Sequence, residues 1–314
     1  MSLKTIKKGN SGNDQRYLCK DCKRRFRLKD YVYENSKEDI WNDFVFGKQT
    51  LRELSQSGEY SKSRLKRIFE RIPFSEKIHK PRQIHLIVDA TFFGKRDTML
   101  WGVIVFRDFY GKENLWWKFV SQEKAENYLE GKTYLESLGY TILSVTMDGL
   151  PGLANVFKDI PVQFCHFHQA QIIRRYTTLN PRISQGYELL ELVKVLTFTE
   201  EYIFAHRLQL FISKHRIFLN QKTIDPLTRN SFFTHPRLRS AIHSLIRNLP
   251  NLFTFQKYPD LKIPTTTNSL ESHFSHIKDV VRIHRGLSLS LKQKVIHSIL
   301  LNSSIVFKKE NKKP

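Results

Sequence analysis

The sequence predicts a mixed α/β protein with one small sheet, and three observations carry that expectation. Between residues 84 and 165, short apolar runs rich in β-branched and aromatic residues recur at strand length. Helical spacing of apolar residues interrupts them at Gln122–Leu138. Outside that window the period is helical over residues 37–73 and through most of the chain after residue 178.

Composition bounds the function. With 314 residues the chain can hold two or three compact units. Hydrophobic residues make up 40%, with 12 Tyr and 23 Phe, which argues for a packed core rather than disorder. The formal charge of +22 would concentrate polyanions, and nucleic acid is the commonest. A basic membrane-surface protein is the rival, but no amphipathic basic helix stands alone. No apolar run reaches bilayer length, and no signal-peptide apolar region opens the chain. Three cysteines make no disulfide framework. A soluble, reducing-compartment, nucleic-acid-associated protein is expected.

Residues 1–36 are basic and polar and contain Cys19-Lys20-Asp21-Cys22-Lys23-Arg24-Arg25-Phe26. Cys-x-x-Cys spacing lets two thiolates clamp one side of a tetrahedral zinc, as in one knuckle of a zinc ribbon. No Cys or His occurs in residues 1–18. The other ligands to Cys19 and Cys22 would come from upstream of this start, from a second chain, or not at all.

Residues 37–80 read as a helical DNA-binding domain. Ile40, Trp41, Phe44 and Val45 have helical spacing in Glu38–Phe46; Thr50–Ser57 follows, then the turn Gly58-Glu59-Tyr60, then Ser61–Ile72 with Ser61 as N-cap. Leu51, Leu54, Leu65, Ile68 and Phe69 would close a core. The pattern is that of a helix-turn-helix, whose second helix enters the major groove. That helix carries Lys62, Arg64, Lys66, Arg67 and Arg71 beside its apolar stripe. A helical hairpin with a solvated basic face is the plainer reading.

Lys80-Pro81-Arg82 marks a boundary, and residues 81–178 read as the first part of a sheet domain. Ile84–Phe93, Leu100–Phe106 and Leu115–Val120 read as an antiparallel meander with turns at Gly94 and Gly111. The helix Gln122–Leu138 then allows Thr141–Thr146 to join in parallel. Leu150–Lys158 reads as a short helix and Val162–Cys165 as a last strand. This is the element order of the ribonuclease-H-like fold. Asp89 interrupts an apolar strand, where an acid wants a cation or a hydrogen-bond partner. Asp148 sits where strand becomes loop; alone, it reads first as a turn-forming Asp-Gly pair, and two other carboxylates in matching contexts shift that reading. In that fold the first and fourth strands are neighbours, so the two aspartates would converge.

Residues 179–262 read as an all-helical insertion, through Ile183–Thr197, Glu200–Phe218 and His235–Leu249. The sheet domain resumes over 263–303. Leu270, Phe274, Ile277 and Val281 form a buried helix stripe, and Glu271, Ser275, Lys278 and Arg282 the stripe beside it. Glu271 also has capping-box spacing from Asn268. Residues 304–314 form a basic tail.

Two aspartates and a glutamate on such a sheet are what two-metal phosphoryl transfer requires. The chain resembles the bacterial insertion-sequence DDE transposases of the Mutator-like superfamily, in the zinc-ribbon-bearing variety. The resemblance rests on Val88-Asp89-Ala90-Thr91-Phe92, Met147-Asp148-Gly149, Cys165-His166-Phe167-His168, Thr266-Thr267-Asn268-Ser269-Leu270-Glu271-Ser272 and His284-Arg285-Gly286-Leu287-Ser288. It covers nearly the whole chain and departs in lacking the first ribbon knuckle. It implies Asp89, Asp148 and Glu271 as ligands of Mg²⁺ or Mn²⁺, with zinc at Cys19 and Cys22 left open. Cys165 and His168 would stand close to that cluster. Lys278, Arg282, His284 and Arg285 would grip the DNA backbone.

The implied activity is cleavage and strand transfer at the ends of a mobile element. Its partners would be double-stranded DNA (terminal repeats and target) and further copies of the chain on that DNA. The implied location is the bacterial cytoplasm, at the nucleoid. A ribonuclease-H-like resolvase or nuclease, or a DNA-binding regulator with a degenerate catalytic domain, are the alternatives. The N-terminal modules argue against the first and the three acids against the second.

Overall fold

The computed structural model describes residues 4–11, 14–27, 37–58, 60–94 and 100–302. The turn residue Glu59, residues 28–36 and the tail 304–314 lie outside them. The chain divides into two compact units, Met1–Arg71 and Ile72–Pro314.

The first unit opens with a small antiparallel sheet in the order β1 (Thr5–Ser11), β2 (Asp14–Cys19) and β3 (Arg25–Arg27). Three helices follow: α1 (Lys37–Val45), α2 (Leu51–Ser57) and α3 (Lys62–Arg71). Thr50 starts α2 with a capping box, its N–H donating to Glu53 Oε2 at 2.7 Å while its Oγ1 accepts from the Glu53 N–H at 3.3 Å. Ser61 Oγ accepts from the Arg64 N–H at 3.3 Å, the N-cap role expected of it. The helices close on Ile40, Trp41, Phe44, Leu54, Leu65 and Phe69. Phe69 packs on Phe44 and edge-on against Trp41, with centroids 4.7 and 5.1 Å away. Leu51 and Ile68, expected in this core, are only half-buried.

In the second unit, β4 (Gln83–Phe93), β5 (Trp101–Asp108) and β6 (Glu113–Val120) form the meander. After α4 (Ala125–Ser137) come β7 (Thr141–Met147), a 3-10 turn at Leu153–Phe157 and β8 (Val162–Phe164). The mixed sheet has the order β6-β5-β4-β7-β8, with β4–β7 and β7–β8 parallel and the other pairs antiparallel. Every residue of β5 is buried, as a central strand covered on both faces requires. The helix expected over Leu150–Lys158 is a 3-10 turn instead. Pro151 and Gly152, the latter at φ 83°, delay the first helical residue to Leu153.

From β8 the chain runs through α5 (His166–Thr177), α6 (Ser184–Lys194), α7 (Glu201–Lys214) and α8 (Arg216–Leu219). A hairpin of β9 (Lys222–Ile224) and β10 (Ser231–Phe233) follows, so the 179–262 stretch is not all-helical. The β-formers Thr223, Ile224, Phe232 and Phe233 flank the turn there, a short-range signal hidden between two strong helices. Next come α9 (Pro236–Leu252) and α10 (Thr254–Lys257). Leu189, Phe204, Leu245 and Phe253 join the same apolar core as the sheet residues Val88, Ile104 and Val145. These helices therefore share the sheet's core rather than building one of their own. The fold closes with α11 (Asn268–Ile283) and α12 (Leu289–Leu301). Among the described residues, no helix is long and apolar enough to cross a membrane.

Candidate functional site

The site lies where β7 and β8 end, beside the second half of β4. On β4 and β7, Ile87 pairs with Thr146, and the same offset of 59 separates Asp89 from Asp148. Continued by two residues, the register brings Asp148, just past the end of β7, opposite Asp89 within β4, and the charge of Asp148 acts on the Asp89 carboxyl. Asp89 Oδ1 accepts from the Ala90 N–H at 2.8 Å, and Asp148 Oδ1 from the Leu150 N–H at 3.3 Å. Gly149 is needed at the next position, since a Cβ there would stand 2.8 Å from Asn248 Nδ2.

Glu271 arrives from far along the chain on a segment tied to β7 and to the start of α5. Thr146 Oγ1 donates to the Pro264 carbonyl at 2.6 Å, and the His166 N–H to the Thr265 carbonyl at 2.9 Å. The Thr267 N–H and Oγ1 then donate to Cys165 Sγ at 3.3 and 3.4 Å. These ties start α11 beside the start of α5, with Cys165, His168 and Glu271 all near the positive ends of helices. The capping box expected between Asn268 and Glu271 is absent. Thr267 is the N-cap, its hydroxyl is spent on Cys165, and Glu271 faces His168 instead.

His168 is the hub. Its Nε2 lies 3.4 Å from Glu271 Oε1 and its Nδ1 3.4 Å from Thr267 Oγ1. Glu271 Oε1 is buried and has no hydrogen-bond partner, the ion pair with His168 lacking hydrogen-bond geometry. Sγ of Cys165, a ring nitrogen of His168 and a carboxylate oxygen of Glu271 all lie within 4.8 Å of one another.

The electrostatics follow from burial and crowding. Burial first, then the charges of Asp148 and Glu271, push the Asp89 carboxyl up to about 7 against the pull of His168 and the Ala90 N–H. Burial likewise raises Asp148 and Glu271, and His168 draws both back. Burial opposes the proton on His168. Its hydrogen bond to Cys165 and the charges of Asp89, Cys165 and Glu271 nevertheless lift it to about 9. Burial would raise the Cys165 thiol, but His168 and the Thr267 hydroxyl hold it below the ordinary cysteine range.

Sequence reasoning missed two contributors. Thr267 could have been suspected only as part of the Thr265–Thr267 run. Glu123, just before α4, accepts from the Tyr128 hydroxyl. Burial raises its carboxyl, Tyr128 lowers it, and Asp148 raises it further, so it is a fourth acid within electrostatic reach. No pattern in the sequence marks it.

The expected basic residues divide. Lys278, Arg282 and Arg285 are exposed, Arg282 pairing with Asp279 at 3.0 Å. His284 is buried, so its ring is not offered to a ligand from solvent; it caps the C-terminus of α11. The fourth residue of the buried stripe is Val280 rather than Val281, because the helix face turns inward one position earlier. In the first unit, Lys62, Arg64, Lys66, Arg67 and Arg71 are all exposed on α3. Cys19 is buried and Cys22 exposed, and among the described residues no third ligand gathers with them. His166 is structural: its Nε2 lies 2.6 Å from the Leu252 carbonyl and its Nδ1 3.1 Å from Thr197 Oγ1.

No protein-family model matches the chain, and no curated protein matches it. Among solved structures, it is similar to a chain in the cryo-EM structure of the simian T-cell lymphotropic virus intasome in complex with PP2A regulatory subunit B56 gamma. The identity is 10% and the TM-score 0.23, over 65% of this chain and 64% of that one. The chain thus spans less than two thirds of that protein's length, and a likeness at this TM-score carries no argument.

Proposed function

We propose that this chain is a DNA transposase of the Mutator-like DDE type, which binds the ends of its element and cleaves and joins DNA strands. The observation that carries the reading is that the charges of Asp148 and Glu271 both act on the half-buried Asp89 carboxyl, although the three acids come from distant parts of the chain. In this reading the strand order β6-β5-β4-β7-β8 is that of a ribonuclease-H-like catalytic domain. The helices between α5 and α11 are its insertion, and α2–α3 a helix-turn-helix. The β1–β3 sheet with Cys19 and Cys22 is a partial zinc ribbon.

The donor chemistry fits a hard divalent cation, since Asp89, Asp148 and Glu271 are all carboxylates and the charges of the other two act on Asp89. Mg²⁺ or Mn²⁺ held by Asp89, Asp148 and Glu271 would polarise the phosphoryl group and lower the pKa of the attacking water or 3′-hydroxyl. The chain's own residues do the rest. The ties from Pro264, Thr265 and Thr267 hold the start of α11, and with it Glu271, beside the end of β7 and the start of α5. Lys278 and Arg285, exposed further along α11, offer charge to the phosphates beside the scissile one. The basic face of α3 supplies the contacts that hold a terminal repeat. Assembly of further copies on DNA at the bacterial nucleoid belongs to the same reading.

The test uses the full chain, Mg²⁺ and duplexes taken from the flanks of its own gene. Nicked and strand-transferred products are expected. Asp89→Asn, Asp148→Asn and Glu271→Gln should each abolish both products while leaving DNA binding within about twofold. Full cleavage by any one of the three variants overturns the reading. Cleavage without strand transfer makes the chain a nuclease or resolvase instead.

A further inference from the structure

We propose that Cys165, His168 and Glu271 form a binding site for a soft or borderline divalent metal ion, Zn²⁺ or Co²⁺ in character, distinct from the three-carboxylate site beside it. This does not depend on the chain being a transposase.

Three donors of the right kinds converge. A thiol, an imidazole and a carboxylate present atoms that all lie within 4.8 Å of one another, close enough for one ion to gather them with small side-chain adjustments. Sulfur and nitrogen donors select Zn²⁺ and Co²⁺ over Mg²⁺, which prefers an all-oxygen shell.

The surroundings suit such an ion. The Thr267 N–H and hydroxyl both donate to Cys165 Sγ, as outer-shell donors do to a metal thiolate. His168 is fixed from its other side, where Nδ1 meets Thr267 Oγ1 at 3.4 Å. Glu271 Oε1 points at His168 Nε2, buried and without a hydrogen-bond partner, which costs free energy unless a cation satisfies it. Both helix starts belong to the same pinned junction, so the three ligands are held by backbone rather than by loops.

A plainer account is that Cys165 is a packed thiol and His168 a counter-ion to the acids. That account explains the ion pair. It leaves unexplained why two donors from Thr267 converge on a sulfur that a Ser or Ala could replace in packing. Glu271 has two oxygens, so it can serve this ion with one and the Asp89–Asp148 pair with the other. Three protein ligands leave one tetrahedral position open.

The test uses the full chain with Cys19→Ser and Cys22→Ser, which leaves Cys165 as the only thiol of the three in the sequence. Titration with Co²⁺ should produce a thiolate-to-metal charge-transfer band that saturates at one ion per chain and survives excess Mg²⁺. His168→Gln and Glu271→Gln should each weaken Co²⁺ binding about tenfold or more. Cys165→Ser should remove the band, with circular dichroism reporting whether the fold survives. X-ray absorption at the zinc edge avoids that variant: one sulfur with nitrogen and oxygen neighbours is expected. Co²⁺ bound without a thiolate band, or a zinc shell without sulfur, overturns the proposal. The two readings fail separately, because a chain with the band that cuts no DNA keeps this site and loses the transposase.

Discussion

Nε2 of His168 stands 3.4 Å from Oε1 of Glu271, bringing the first turn of α5 against the first turn of α11. The pair places a cation within reach of three half-buried carboxylates, and Asp89, Asp148 and Glu271 all feel its charge. The imidazolium offsets part of the charge of those acids, alongside the Ala90 N–H at Asp89 and the Leu150 N–H at Asp148.

Asp89 should destabilise the metal-free fold at neutral and alkaline pH. Its carboxyl rises from 3.8 to about 7, so the folded state holds a proton that the unfolded state has released. The associated stability is full below 3.8 and is lost as pH rises through about 7. In EDTA above that range, Asp89→Asn should raise stability by roughly 2–4 kcal/mol, at about 1.4 kcal/mol per pKa unit. Denaturant melts of both proteins across pH decide it. A variant that is less stable than wild type above that range contradicts the account.

His168 carries the same sign for a different reason. Its folded pKa lies near 9 against an ordinary 6.5, so its contribution is full below 6.5 and fades through about 9. His168→Gln should therefore cost roughly 1–3 kcal/mol on the acidic side, with the gap to wild type closing on the alkaline side. A gap that does not change with pH would mean that the ring acts by packing alone.

Gly149 sets the loop that carries Asp148. A Cβ there would meet Asn248 Nδ2 at 2.8 Å, and Asn248 is itself held, donating to Gln169 Oε1 at 2.8 Å. Gly149→Ala should cost about 1–3 kcal/mol by overpacking. Adding Asn248→Ala should recover part of that loss in a double-mutant cycle. Additive losses would show that the strain lies elsewhere.

Much of the sheet was legible because a strand leaves a local trace. Ile84–Phe93 and Thr141–Thr146 announced themselves by composition, and Asp89 by being the wrong residue for its run. Their alignment was legible only through the expected strand order, since register depends on pairing across 59 residues. Glu271 was found, but its surroundings were not. Spacing alone favoured a cap at Asn268, while the structure spends the capping hydroxyl of Thr267 on Cys165. Such a choice is made by a residue about a hundred positions away, and no window of sequence contains it. His284 misled for the opposite reason: a basic residue at a helix end reads as exposed, and here the chain turns it inward.

The basic face of α3 gives the last prediction. Leu65 and Phe69 are buried, which turns Lys62, Arg64, Lys66, Arg67 and Arg71 outward on the remaining surface of one ten-residue helix. Arg64 also lies over the Tyr60 ring at 4.6 Å, which limits the directions in which its guanidinium can reach. If this helix grips DNA, each phosphate contact removed should lower the slope of log affinity against log salt by about 0.9. Arg64→Ala with Arg67→Ala in the full chain should then lower affinity at low salt and flatten the slope by about 1.8. Base-edge contacts behave differently, weakening binding to one sequence while leaving the salt slope nearly intact. Binding isotherms at several salt concentrations, on a specific and a random duplex, separate the two. Unchanged affinity on both duplexes would leave α3 as the solvated face of an ordinary helical hairpin.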